Sequence, residues 1–524
     1  MRARLADVPT HLAHLVTRAA AGVPEHPAII DVGLGLTTTW SELDAAVTAE
    51  ATRIRDAGVR PGDRVVVRLS GGLPFCVAVL GVLRADAIAV PFGPIAVSRE
   101  LAVVLADCAP RIVIAPADDR PAATCAAAVG VAVLPPPDPA ARADIEVPCG
   151  VGGEDIALLV YTSTSGRPRG VRLSHRAVLA NRAQTAALRP APVIPVDRVL
   201  LSLPLFHVIG LAAGLLQVCW AGATAVLTDR SEPEHLAEVI VAHRVSGVAA
   251  VPSLYRALLN LPAVQLRAAL GGVRLCTSGA APLPSRWLAD FRAATGLSIL
   301  EGYGLSEAGP MVTTNIVGGV AKAGAVGRAM PGIELRLVDR EGHPLDAVAP
   351  DRTDGPGFEA AAEPSDSAED PGLVAVRGAN LFSGYWPDGA DGPDAEGWFS
   401  TPDVGFFDTD GDLHLAARSS DLVIVNGFNV YPREVEQVLG ELAGVVEAAV
   451  VGVPDDRTGE AVKAVLVRAE SLTVEITEDD VRAHCTARLA RFKVPAVIEF
   501  VERLPRTPTG KLARRQLMSP AETP

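Results

Sequence analysis

The chain has 524 residues, about half of them apolar, and a formal net charge of -14. That length can bury a large core and calls for more than one domain, while the acidic balance argues against nucleic acid or an anionic membrane surface as the main partner. Seven cysteines stand singly, with no CxxC pair and no histidine cluster at metal-ligand spacing. They read as small core residues of a reduced, cytoplasmic protein. No run of about 18 apolar residues occurs, and the amino terminus lacks an uninterrupted apolar stretch, which predicts a chain neither secreted nor membrane-spanning.

In chain order, SELDAAVTAEATRIRDAG carries apolar residues at helical spacing and ends at Gly58. The short β-branched runs at 63–69, 111–116, 199–205 and 297–304 predict buried parallel strands between such helices. After the run DIALLV, RGVRLSH predicts a second strand, with Ser174 capping the next helix. The alternation predicts a multi-lobed α/β domain with mostly parallel sheets, its ligand sites beyond the carboxyl ends of strands. Residues 348–371, rich in Pro, Gly, Ser and acids, predict a solvated loop. Behind RSSD (418–421) come a helix REVEQVLGEL, two strands VEAAVVGV and AVKAVLV, and a helix capped by Thr477 with Glu478, Asp479 and Asp480 in its first turn. The expected division is therefore 1–417, a hinge at 418–421, and a small α+β domain at 422–524.

Four stretches carry chemistry. In YTSTSGRPRG (161–170) successive small residues let backbone N–H groups converge on an anion, yet no Walker A pattern is present and an ordinary hairpin explains the stretch equally well. EGYGLSEAG (301–309) places Tyr303 to stack on a base and Glu307 to hold a hard cation through oxygen. Asp403 is an acceptor-only group suited to paired ribose hydroxyls. Lys511, in PRTPTGKLARR, is a mobile point charge able to offset negative charge developing in a transition state.

Together and in this order, these residues resemble the adenylate-forming superfamily of acyl- and aryl-CoA synthetases, peptide-synthetase adenylation domains and luciferases. The resemblance continues through LPLFHVIGL, CTSGAAPLP, GAVGRAMPG, VRGANLFSGYW, GWFSTPDVG and RSSDLVIVNGFNVYPREVE, and LPLFH and NGFNVYPREVE are typical of its acyl-CoA synthetase branch. It implies ATP, Mg2+ and CoA. By resemblance, Thr162, Ser163, Thr164, Ser165 and Gly166, with Arg169 behind them, hold the β- and γ-phosphates. Gly279, Ala280, Ala281 and Pro282 line the adenine site, Tyr303 and Gly304 face the base, and Ser306 lies near the α-phosphate. Glu307 binds magnesium, while Asp403 and Arg418 contact the ribose. Lys511 bridges the substrate carboxylate and the α-phosphate. His207, counted with Lys511 and Glu307 as catalytic, borders an acyl pocket with Val208, Gly210, Leu211, Ser253 and Gly302. Asp421 is the hinge, and Gly427, Phe428 and Asn429 line the tunnel for the CoA thiol.

The chain departs from the family pattern at the phosphate loop. That loop is one residue shorter than usual, lacks a glycine and has Arg169 where lysine is common, so it is expected to work with an altered grip on pyrophosphate. The implied activity is ATP-dependent activation of a carboxylic acid as acyl-AMP followed by transfer to CoA. The alternatives are transfer to an external carrier-protein phosphopantetheine, or a non-catalytic binding protein. No acidic residue stands near His207 to pair an ammonium, so an uncharged hydrophobic or aromatic acid is expected, handled by a monomer or homodimer.

Overall fold

A computed structural model describes residues 9–143, 147, 149–162, 168–345, 371–418, 421–425, 428–455, 457–469, 476–507 and 511–518. Two large sheets carry the chain from Pro27 to Ala329. One has six strands in the order Ala132–Leu134, Ile112–Ile114, Arg64–Val67, Ile88–Pro91, Ile156–Thr162 and Arg169–Ser174. Its pairs are parallel except the last, a hairpin in which Thr162 lies opposite Arg169. The other has nine strands, of which six central ones run parallel from Ile299–Gly304 through Leu275–Ser278, Gly247–Ala250, Arg198–Leu201 and Thr224–Leu227 to Pro27–Asp31. Strands buried on both faces need no polar alternation, and the continuous Val, Ile and Leu runs of the sequence occupy these positions.

Helix Trp40–Asp56 covers the stretch of helical spacing, and its start is set by a cap at Thr39. The Thr39 side chain accepts from Glu42 N, and the Glu42 carboxylate accepts from Thr39 N at 2.9 Å, a reciprocal capping box. It packs on Leu73–Arg84, which is buried on almost all sides and joins residues of both large sheets in one core. The amino end of Leu73–Arg84 is held by Asp31, whose Oδ2 accepts from Leu73 N at 2.7 Å. At its other end buried Arg84 meets Asp44 Oδ1 at 2.6 Å and the Thr48 hydroxyl at 2.7 Å, so the charge is compensated where it is desolvated.

An antiparallel four-stranded sheet follows: Ile333–Val338, Gly372–Gly378, Trp398–Phe407 and Leu413–Arg418. Past Arg418 a separate apolar core gathers helix Pro432–Glu441, strands Val445–Asp455 and Gly459–Arg468, and helix Glu478–Thr486, whose cap Thr477 accepts from Asp480 N. These are the elements expected from the carboxyl-terminal pattern. Most of the loop expected at 348–371 lies outside the described residues. Six of the seven cysteines are buried, and no described helix is long and apolar enough to cross a membrane.

One glycine shows how tightly the turn beside the nine-stranded sheet is built. Gly327 has φ +80°, and a Cβ there would lie 2.2 Å from the Thr314 carbonyl carbon, so both the conformation and the space exclude a side chain. Gly327→Ala is expected to cost more than about 2 kcal/mol and lower Tm by several degrees in a thermal melt. Gly271→Ala, where a Cβ meets nothing within 4 Å, is expected to shift it by no more than about a degree.

Candidate active site

The parallel strands of the nine-stranded sheet end on a common edge, where two turns are forced into tight shapes. After Leu275–Ser278 the chain reverses through Ala280, a non-glycine residue in the left-handed region at φ +69°. Such strain persists only where surrounding structure imposes it. After Ile299–Gly304 the loop folds back so closely that a Cβ on Gly304 would lie 2.0 Å from the Pro310 carbonyl oxygen. Gly279, Ala280 and Ala281 are half-buried along this edge, with Pro282 exposed, and Ser306 opens a short 3-10 turn, Ser306–Ala308, that carries Glu307.

Polar side chains from three sheets meet here. The Tyr303 hydroxyl donates to Asp403 Oδ2 at 2.7 Å, and Arg418 Nε stands 3.2 Å from Asp403 Oδ1. Asp403 and Arg418 lie opposite each other on neighbouring strands, so sheet register sets this pair. Burial, with the Asp403 carboxylate beside it, pushes the Tyr303 phenol up, which keeps it a donor. Tyr385 donates its hydroxyl to Glu307 Oε1 at 2.8 Å while its ring carries the Arg169 guanidinium 3.5 Å from the centroid. Arg169 also reaches Asp391 at 2.5 Å. A cation–π contact and an ion pair thus hold Arg169 beside the hairpin tip.

Lys511 comes to this edge from the carboxyl-terminal part of the chain. Its ammonium is pulled down by burial and by Arg418, and up by Asp403 and Glu307. The residue itself stays exposed by surface area, as expected of a side chain walled by protein atoms on an open cleft. Lys511 is also a neighbour of His207, whose imidazole is pushed down to about 4, mainly by burial, and is neutral at pH 7. Asp421, at the junction of the two parts, pairs with Arg514 at 3.6 Å.

Beneath the edge is an apolar cavity of about 110 Å³. Of the acyl-pocket residues expected from sequence, Gly302 lines it; His207, Val208, Gly210, Leu211 and Ser253 do not. The segment Ile209–Leu216 is a π-helix, and its wider turn presents Ile209, Ala213 and Gly214, then Gln217, to the cavity, while Val208 and Leu211 turn into the core. Ser163, Thr164, Ser165, Gly166 and Gly427 lie outside the described residues, and Thr162 ends its strand at the hairpin tip. Phe428 and Asn429 are exposed on the small domain, Phe428 stacking on Phe492 with ring centroids 4.9 Å apart. Sequence reading missed Tyr385 as a partner of Glu307 and Arg433 as a neighbour of Glu301. The only signal for Tyr385 was its place in LFSGYW.

Comparison with known proteins agrees with this geometry. Residues 16–386 match the family model described as AMP-binding enzyme, and residues 434–511 match the one described as AMP-binding enzyme C-terminal domain. A feruloyl-CoA synthase from Amycolatopsis is 33% identical over 92% of this chain and 94% of its own length. A long-chain-fatty-acid-CoA ligase from Bacillus subtilis is 34% identical over 70% of this chain, but the match spans only 61% of that protein. The ATP-bound crystal structure of MatB from Rhodopseudomonas palustris superposes with TM-score 0.86 at 30% identity, covering 97% of this chain and 98% of that one.

Glu301, one strand position pair before Tyr303, is 6% exposed and accepts from Leu283 N at 3.2 Å. Burial raises its carboxyl to about 7, against the pull of Arg433 from helix Pro432–Glu441. The folded state therefore binds this proton more tightly than the unfolded chain does. The stabilisation is complete below the ordinary carboxyl range near 4.5 and drains away as pH rises through about 7. Glu301→Gln is expected to remove that loss, so thermal melts of variant and wild type should agree near pH 4, below the unfolded value of 4.5, and diverge towards pH 8, with the variant more stable by up to about 3 kcal/mol. Arg433 Nη1 also donates to the Leu415 carbonyl at 3.0 Å, a contact that does not involve Glu301.

Proposed function

The chain belongs to the AMP-binding enzymes, with acyl-CoA synthetases among its relatives, and from this we propose that it joins a carboxylic acid to CoA by way of an acyl-adenylate, with release of pyrophosphate. The observation that carries this reading is the position of Lys511, delivered by the small domain to a cleft walled by Glu307, Asp403, Arg418 and His207 of the large one.

A carboxylate is a poor acyl donor, so the reaction uses it first as a nucleophile: its oxygen attacks the α-phosphorus of ATP and pyrophosphate leaves. Positioning and charge stabilisation dominate such chemistry. In this reading Asp403, held by Tyr303 and Arg418, still has lone pairs free for the ribose hydroxyls. By the resemblance, the residues after Thr162 would hold the β- and γ-phosphates, and the strained turn at Gly279–Ala280 lines the adenine site. Glu307 commits Oε1 to Tyr385, leaving Oε2 as the hard oxygen donor that Mg2+ requires; the ion, when bound, would neutralise phosphate charge. Lys511 stabilises charge shared between the carboxylate and the α-phosphate, and neutral His207 adds no competing cation.

The CoA thiol then displaces AMP, which needs a different arrangement at the same centre. A large domain 1–417 and a small domain 422–524 joined at 418–421, with Asp421 as pivot, supply both arrangements in turn. Among the described residues no charged side chain lines the cavity, which supports an uncharged hydrophobic or aromatic acid. Feruloyl-CoA synthase and the long-chain ligases are relatives consistent with that class.

Acid-dependent pyrophosphate release from ATP and Mg2+, run over fatty and aryl acids, tests the reading. Lys511→Ala is expected to slow release by about 10²- to 10³-fold while leaving CoA transfer from preformed acyl-adenylate much less affected. A wild-type protein that releases pyrophosphate with no acid overturns the reading.

A further inference from the structure

The cavity is not uniformly apolar. Gln217, at the end of the π-helical segment, lines it while being 1% exposed, and its amide nitrogen has no hydrogen-bond partner. The amide orientation is set from behind. Arg182 is fully buried, donates Nη1 to the Ala212 carbonyl at 2.7 Å and to Gln217 Oε1 at 3.3 Å, and gives Nη2 to the Asn181 side-chain oxygen. A guanidinium has donors only, so the Gln217 oxygen must face Arg182, which leaves the NH2 group as the end not held by Arg182.

A buried amide donor without a partner is costly, and few native side chains leave one unmet. Burial lowers the Arg182 guanidinium to about 9, so it is charged at neutral pH and adds a positive potential behind the amide. Gln217 is also far from the reacting centre. Ten residues of helical chain separate it from His207, on the order of 10–15 Å at a rise of about 1.5 Å per residue or less.

We infer that Gln217 is a specificity-determining residue, donating a hydrogen bond from its side-chain amide to an oxygen acceptor carried on the acyl group remote from the reacting carboxylate. The inference rests on the acid:CoA ligase reading above and narrows its substrate class to oxygen-bearing aryl or alkyl acids: a phenol, an aryl ether, or a hydroxyl or keto group towards the end of a chain. Such an acceptor satisfies the unpaired donor. A methyl group of the same size leaves it unpaired in an apolar wall, and a site built around a hydrogen bond rejects the analogue that lacks it.

Isosteric pairs provide the test: 4-hydroxycinnamate against 4-methylcinnamate, and 10-hydroxydecanoate against undecanoate, with kcat/KM read from pyrophosphate release. Wild type is expected to favour the oxygenated member of the better-used pair by about 10- to 100-fold. Gln217→Leu is expected to abolish or reverse that preference, mainly by raising kcat/KM for the methyl analogue. Release without any oxygen preference in wild type overturns the inference and leaves the ligase reading intact. A preference that survives Gln217→Leu overturns the assignment to Gln217. Release with no acid at all overturns the ligase reading, and the inference falls with it. The wild-type comparison stands even where the variant fails to fold.

Discussion

A carboxylate taken almost entirely out of water must be paired, and the site is arranged around one that is. Asp403 is 7% exposed and sits where the nine-stranded sheet meets the four-stranded one. Tyr303 approaches from the first sheet, and Arg418 lies opposite on the neighbouring strand of the second. Breaking either contact leaves a buried charge short of a partner, a far larger penalty than losing a surface ion pair. The pairing therefore fixes the two sheets relative to each other and, through Arg418, the point at which the chain departs for the small domain. A group that locks the scaffold is also well suited to present lone pairs to a ligand, because its position is already determined.

The same economy recurs around it. Tyr385 both supports Arg169 and orients Glu307. Arg182 donates to the Ala212 carbonyl within the π-helix and turns the Gln217 amide. Lys511 stands apart because it is brought by a separate core. Held among Asp403, Glu307 and Arg418, its charge is balanced by neighbours of both signs. On the proposed two-step reading, a cation carried by a separate core is presented for one chemical step and withdrawn for the next.

Much of the fold was legible because it rests on local rules. The run DRVVVRL, expected to be a buried parallel strand, is Arg64–Val67. Ser174, and Thr477 with Asp480, cap the helices where they were expected to. The polar site residues Tyr303, Glu307, Asp403, Arg418 and Lys511 were legible as a set only through their ordered resemblance to one family, since 200 residues of chain separate the first from the last. The cavity wall was only partly legible. The resemblance placed Val208, Gly210 and Leu211 on it along with Gly302, and the π-helical turn presents Ile209, Ala213, Gly214 and Gln217 to it. The wall position depends on an angle of rotation per residue, which composition does not encode.

The amino-acid sequence by itself determined the α/β alternation and a compact carboxyl-terminal pattern behind a large amino-terminal one, and its resemblance to one family singled out the residues proposed for phosphate, ribose, cation and carboxylate. The first two follow from periodicity and capping, which are local to a few residues. Only the tertiary structure decided which of those groups meet, that Tyr385 stands behind Glu307, that Glu301 is buried enough to hold its proton to about pH 7, and that the Gln217 amide nitrogen is left without a partner in the wall of an apolar cavity. Burial and the pairing of distant polar groups depend on sheet register and on the packing of segments far apart in the chain. Their energies are set by what surrounds a side chain in space, and its neighbours in sequence do not report it.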